Sequence, residues 1–101
     1  LKDDAKAYEY LKAAADGEYE SAYILLSRFY AEGIVAEKDV AKAVELLEKA
    51  GDNPDAYFRL GIVYEAEGDA AKSKEYLKKA ADMGHEKAAE KLRDPDKELG
   101  Q

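Results

Sequence analysis

The stretch AKAVELLEKAGD, residues 41–52, decides the fold because the chain repeats it with small changes, as AKAYEYLKAAAD at 5–16 and AKSKEYLKKAAD at 71–82. In each copy, small or apolar residues recur at helical spacing, and lysine and glutamate fill the opposite face. The pattern predicts three amphipathic helices with a small residue at each end of the apolar stripe. Repetition of this kind is typical of stacked helical repeats.

A second helical pattern lies between the copies. It reads SAYILLSRFYAEG at 21–33 and DAYFRLGIVYEAEG at 55–68, with a shorter version, KAAEKL, at 87–92. Helix pairs of this size cannot bury their apolar faces alone, so we expect them to stack on one another. The alternation predicts six helices, at about 3–15, 19–32, 39–50, 54–67, 69–82 and 86–93.

Residues at the predicted helix ends fit their positions. Asp39 and Asp69 stand where they can cap the helices that follow, and Asn53 precedes a first-turn proline. Gly17 and Gly84 are expected to end helices because glycine accepts a left-handed conformation.

Gly61 lies inside the fourth predicted helix, where glycine costs about 1 kcal/mol relative to alanine. Ser27 occupies the equivalent place in the earlier repeat. A small residue at both places indicates a close helix crossing, which we expect at Ala43 and Ser73.

Composition excludes several classes of function. The 101 residues are 47% apolar and 39% charged, with a formal net charge of −7, which argues against binding nucleic acid or anionic membranes. No run approaches the roughly 18 apolar residues of a spanning helix. The absence of cysteine removes disulfides, thiol catalysis and cysteine-ligated zinc. A cytoplasmic protein is expected.

Catalysis is not expected from these residues. His85, the single histidine, is interpreted as a turn residue between two helices, because one imidazole without partners makes no site. We find neither a glycine-rich phosphate loop nor the ligand alternation of a calcium loop. We therefore predict no catalytic residue, no metal and no cofactor.

Two longer runs resemble a known repeat family. LLSRFYAEGIVAEKDVAKAVELLEKAG at 25–51 and KAADMGHEKAAEKL at 79–92 resemble the Sel-one-like repeat. YFRLGIVYEAEGDAAKSKEYLKKA at 57–80 is similar to its sister family, the tetratricopeptide repeat. Ser27 departs from the expected glycine, and the second repeat lacks the longer Gly-Val loop.

The resemblance covers residues 3 to 93. It implies an all-α fold, a right-handed α–α superhelix or solenoid of stacked antiparallel helix pairs, with about six helices. We expect one repeat domain at 1–93, and a short tail at 94–101 whose order the sequence leaves open.

In the resembled families the first helix of each pair lines a concave groove. The matching positions here are Ser21, Ile24, Arg28, Glu32, Asp55, Phe58, Ile62 and Glu65. We expect Ile24, Phe58 and Ile62 to be exposed apolar anchors for a helix or extended peptide, unless neighbouring repeats or the tail cover them. The acidic positions favour a partner with basic character, and Arg28 could meet one acidic group.

Eight tyrosines are notable in a chain of this length. Tyr8 and Tyr19 lie off the repeated stripe, as surface residues or as contacts at the first helix. The others are predicted to face the core, with the hydroxyl at its rim: Tyr10, Tyr23, Tyr30, Tyr57, Tyr64 and Tyr76.

The sequence thus predicts a protein–protein interaction module that binds a peptide or helix of a partner protein in the concave groove. The alternative is an engineered or structural repeat scaffold with no natural ligand. We expect a monomer, or a weak homodimer through the exposed end repeats.

Overall fold

The computed structural model describes residues 2–93, which are all-helical and contain no strand. The predicted all-α fold class is confirmed, and each predicted helix end lies within one residue of its observed place. The helices are α1 (Lys2–Asp16), α2 (Glu20–Glu32), α3 (Val40–Lys49), α4 (Pro54–Ala66), α5 (Ala70–Asp82) and α6 (Glu86–Arg93). The predicted tail, 94–101, lies outside the described residues.

The chain divides into two compact units, Leu1–Gly51 and Asp52–Gln101. In the first unit, α2 packs against both α1 and α3. In the second unit, α5 packs against both α4 and α6. The single repeat domain expected over 1–93 stays a prediction.

The predicted caps are confirmed. Asp39 and Asp69 each accept a hydrogen bond from the backbone N–H three residues later, at 3.0 and 3.1 Å. The Asn53 side chain accepts from two amides of the first turn of α4, which starts at Pro54. Gly84 takes a left-handed conformation directly after α5 and its cap residue, with φ of +93°. These local bonds satisfy amides that helices leave unpaired at their starts.

The prediction for the end of α1 was wrong by one residue. Glu18, rather than Gly17, takes the left-handed conformation, with φ of 64°. The backbone N–H of Gly17 still bonds to the carbonyl of Ala14, at 3.0 Å, and that of Glu18 to Ala15, at 2.9 Å. Helical turns therefore continue through Gly17, and the chain reverses only after it.

The core of each unit is built from the repeated small and leucine positions. In the first unit, Ala43 and Leu47 are completely buried. In the second unit, Leu77, Ala80 and Ala88 form a buried cluster. Partly buried apolar side chains cover that cluster: Tyr57, Phe58, Ala81 and Leu92.

Gly61 confirms the close helix crossing in the second unit. A Cβ atom on Gly61 would lie 2.8 Å from both Cγ and Cδ2 of Leu77 and 3.3 Å from the carbonyl oxygen of Ser73. A side chain at this position would therefore require the Leu77 side chain or α5 to move. The close approach at Ser73 is thus the packing reason that the sequence indicated.

Tyrosine and lysine pair in the same way in both units. In the first unit, the ammonium of Lys42 lies 5.9 Å from the ring centre of Tyr30, and Lys49 lies 5.8 Å from Tyr23. The equivalent pairs in the second unit are Lys72 on Tyr64, at 5.1 Å, and Lys79 on Tyr57, at 5.4 Å. These four tyrosines are half-buried, as expected for rings at the rim of a core.

Tyr10 does not face the core, contrary to the prediction. Its side chain is 76% exposed, whereas Tyr8 packs against the rings of Phe29 and Tyr30. The hydroxyls of Tyr8 and Tyr30 are hydrogen-bonded at 3.0 Å, and this bond raises the pKa of Tyr8. At the contact between α1 and α2, Tyr8 is therefore packed and Tyr10 is not, whereas the other stripe positions of α1 stay half-buried.

Candidate partner-binding surface

Four residues of α4 fall on one face of that helix, because they follow one another at spacings of three, four and three. They are Asp55, Phe58, Ile62 and Glu65. Ile62 is 36% exposed and Phe58 is half-buried. The carboxylates of Asp55 and Glu65 stand at the two ends, each about half exposed. We call these four residues the α4 surface; an apolar centre between two carboxylates is its defining feature.

Asp55 lies between two cationic or titratable groups. Its Oδ1 atom is 3.4 Å from Nε2 of His85, and its Oδ2 atom is 3.7 Å from Nε of Arg59. A carboxylate has about four lone-pair sites, so two such neighbours leave acceptor capacity on a side chain that is half exposed. Asp55 can therefore accept further hydrogen bonds from a ligand.

Glu65 is paired at the other end of the surface. Its carboxylate lies 3.1 Å from the ammonium of Lys91 on α6. Both side chains are partly exposed to solvent, so we expect the pair to contribute at most about 1 kcal/mol. A competing cation on a partner can replace Lys91 at little cost.

His85 lies in the turn between α5 and α6, as predicted. Its ring stacks on Phe58, with ring centres 4.5 Å apart and an interplanar angle of 19°. Its Nδ1 atom also accepts a hydrogen bond from the backbone N–H of Ala88, at 3.2 Å, and so caps α6. The sequence analysis missed this capping role; the position directly before a helix was the only signal for it.

A cleft of about 430 Å³ opens beside these residues in the second unit. Its lining mixes two carboxylates, two cations, an aromatic ring and the single imidazole: Asp55, Phe58, Arg59, Gly84, His85, Glu86 and Lys87. The Nε atom of Arg59 is buried and has no hydrogen-bond acceptor among the described residues. The balanced charge of the lining suits a polypeptide with both polar and apolar groups better than a strongly charged small anion.

Tyr57 is also on α4 but is not among the residues that line this cleft. Its hydroxyl donates a short hydrogen bond to the carboxylate of Asp52, and this bond raises the pKa of Tyr57. The ring also stacks near Tyr76, so Tyr57 serves packing.

The positions expected on α2 divide into exposed and buried ones. Ser21, Arg28 and Glu32 are exposed, and Nε of Arg28 lies 3.2 Å from Oε2 of Glu32. Ile24 is only 4% exposed, so the expectation of an exposed anchor there was wrong. Its neighbours Ala22, Leu26 and Ser27 are buried as well, and α2 packs against two helices of its unit. The buried arc of α2 is therefore wide enough to include position 24.

Two further observations bear on chemistry. Within residues 2–93, no group of three or more histidine, aspartate or glutamate side chains is arranged to hold a metal ion. No helix in that range combines the length and the apolar character that crossing a membrane requires.

One comparison with known proteins identifies a repeat family. A family model described as the Sel1 repeat matches three successive segments, 1–19, 20–55 and 54–85. No curated protein and no solved structure matches the chain. Repeats of this family form helical solenoids and generally act as protein-interaction modules, typically without catalysis. With matches over most of its length, this chain belongs to the Sel1 repeat family, which confirms the resemblance seen in its sequence.

Proposed function

We propose that this Sel1 repeat protein binds a peptide or helix of a partner protein on its α4 surface. The observation that carries the proposal is Ile62, a large apolar side chain left 36% exposed between two half-exposed carboxylates. An apolar side chain beside half-buried Phe58 offers an anchor point, and anchors of this kind dominate the energy of peptide recognition.

The chemistry of the surface defines the partner. An apolar side chain of the partner would contact Ile62 and the edge of Phe58, and basic residues on either side would reach Asp55 and Glu65. The net charge of −7 adds a general attraction for a basic segment. Both carboxylates already have partners within the chain, yet their exposure leaves them open to exchange.

We propose separately that exposed α2 residues of the first unit supply polar contacts to a partner. Ser21, Arg28 and Glu32 offer a hydroxyl and an ion pair for further polar contacts. Ile24 is left out because it is buried. We further propose a cytoplasmic monomer or a weak homodimer through the end repeats, one that has no catalytic activity and does not bind nucleic acid.

The test is selection of binders from a displayed library of random peptides, followed by affinity measurement on purified variants. We expect the selected peptides to carry an apolar residue flanked by lysine or arginine. Ile62→Asp should weaken them at least tenfold, about 1.4 kcal/mol, because it puts a charge against the apolar anchor. Tyr10→Asp is the control, since Tyr10 is a 76% exposed apolar residue of α1 outside the proposed contacts.

The outcomes separate the two interpretations of this chain. Loss of binding in Ile62→Asp alone, with an unchanged circular dichroism spectrum, supports the α4 surface. Equal loss in both variants, or in neither, contradicts it. A library that returns no binder favours the scaffold with no natural ligand.

A further inference from the structure

We infer that His85 is a proton-sensitive cap that holds the start of α6 only while its imidazole is neutral. The Nδ1 atom accepts from the backbone N–H of Ala88, at 3.2 Å, and only an unprotonated nitrogen can accept. The ring proton then belongs on Nε2, which lies 3.4 Å from Oδ1 of Asp55. Both ring nitrogens of the neutral form are therefore used.

Protonation leaves one of these two bonds without an acceptor. The proton on Nε2 still faces Asp55, but a proton on Nδ1 would point at the N–H of Ala88, so two donors would face each other. A flip of the ring does not help, because it would place a carbon atom against Ala88. The stack on Phe58 also restrains the ring, at 4.5 Å between centres.

The charged groups around the imidazole nearly balance. From α4, the cleft contains the carboxylate of Asp55 and the guanidinium of Arg59; from α6, it contains Glu86 and Lys87. Among the described residues, α5 contributes no charged side chain to this lining. Among these charged groups, Asp55 is the one bonded to a ring nitrogen, so it can retain the charged ring in place while the bond to Ala88 is lost.

Loss of the hydrogen bond between Ala88 and His85 matters because α6 is short. It has eight residues, a length at which a helix depends on its packing and its caps. The methyl group of Ala88 is completely buried, and Leu92 packs on the same cluster. Without the cap, the first turn of α6 opens, and with it the wall of the cleft formed by Glu86 and Lys87.

Histidine as a residue type changes its charge between about pH 5 and pH 8. The bond from Ala88 is thus present when the ring is neutral and absent when Nδ1 carries a proton. Aspartate as a residue type is charged over this range. The first turn of α6 is therefore proton-sensitive in a way that the first turns of α3 and α5, which aspartates cap, are not.

Nuclear magnetic resonance of the full ¹⁵N-labelled chain tests the inference with buffer pH as the only variable. At pH 8, the ring nitrogen shifts should identify the Nε2–H form. Between pH 7.5 and 5.0, the exchange protection factor of the Ala88 amide should fall about fivefold, the effect of losing a typical cap. The fall should follow the titration curve of the ring. The Lys72 amide, which Asp69 caps, is the internal control and should keep its protection.

His85→Asn provides the matched variant, because asparagine is a strong cap that does not titrate. Its Ala88 amide should keep the same protection at both pH values. The inference is overturned if the ring carries its proton on Nδ1 at pH 8, if the wild-type ring titrates while Ala88 stays protected, or if the asparagine variant loses the same protection. No partner is needed, so the result stands whether or not the α4 surface binds a peptide.

Discussion

In the first unit, Asp39 follows Tyr30 by nine residues, whereas in the second unit Asp69 follows Tyr64 by five. Both connections nevertheless end in the same bond: the N–H of Asp39 donates to the carbonyl of Tyr30 at 2.8 Å, and that of Asp69 to Tyr64 at 2.9 Å. Each aspartate then caps the next helix. We call the place where each aspartate joins the preceding tyrosine to the next helix the junction. It is fixed by these two bonds, and the longer connection of the first unit is accommodated as a surface loop.

The helix crossing shows a second difference between the units. Ser27 of the first unit is buried, and its hydroxyl donates to the carbonyl of Ile24 at 2.6 Å, which satisfies the polar group within α2. Gly61 of the second unit has no room for a Cβ atom beside Leu77. Both units therefore bury a small residue at this repeat position, but the first has room for a serine side chain and the second has no room for a Cβ atom.

The largest effect we predict tests that difference in clearance. Gly61→Leu should lower the free energy of unfolding by about 1–3 kcal/mol, because overpacking forces α4 and α5 apart. Urea denaturation measures the change. Ile62→Leu is the control on the same helix, and it should stay within about 0.5 kcal/mol because Ile62 is partly exposed. An unchanged midpoint for Gly61→Leu would remove the tight crossing from the second unit.

The next prediction tests whether loop length matters to the junction. Asp39→Ala and Asp69→Ala should each lower the free energy of unfolding by about 1 kcal/mol, since each removes the acceptor of one helix-start amide. Glu37→Ala, in the longer loop, is the control and should be near neutral because Glu37 is exposed and caps no helix. A loss at Asp69 that exceeds twice the loss at Asp39 would mean that the longer loop weakens the junction.

The features that the sequence predicted well are local or repeated. Six helices and three caps follow from residue spacing and capping chemistry, and Asn53 before Pro54 is an example that needs no tertiary information. Gly61 and Ser27 could be matched because the repeat aligns them. Residue spacing and capping residues predict these features correctly because they act within one helix or one turn.

The features that the sequence predicted wrongly depend on which neighbours cover a helix. The segment 5–16 carries the same stripe as 41–52, yet α1 contacts α2 through Tyr8 and leaves Tyr10 exposed. Ile24 was placed on an open face by its repeat position and is buried. His85 is not a preferred cap residue, so its bond to Ala88 depends on ring geometry that spacing does not encode.

The smallest predicted effect concerns backbone strain, which differs between the units. Residues other than glycine with positive φ occur, among the described residues, only in the first unit: Glu18 at 64° and Val35 at 65°. In the second unit, Gly68 and Gly84 occupy the left-handed positions. Left-handed backbone costs a residue with a Cβ roughly 1–2 kcal/mol, whereas glycine adopts it freely but loses more entropy on folding.

Glu18→Gly and Val35→Gly should therefore each raise the free energy of unfolding by about 0.5 kcal/mol, the relief of strain less the added entropy of the unfolded chain. Both side chains are exposed, so little packing is lost. Gly68→Ala is the reverse control: a Cβ there meets no atom within 4 Å, so its expected loss of about 0.5 kcal/mol comes from the backbone alone. If Val35→Gly instead destabilises the protein, the Val35 side chain stabilises the longer loop by more than its backbone strain costs. The extra residues of the first connection would then be a packed element rather than a tolerated insertion.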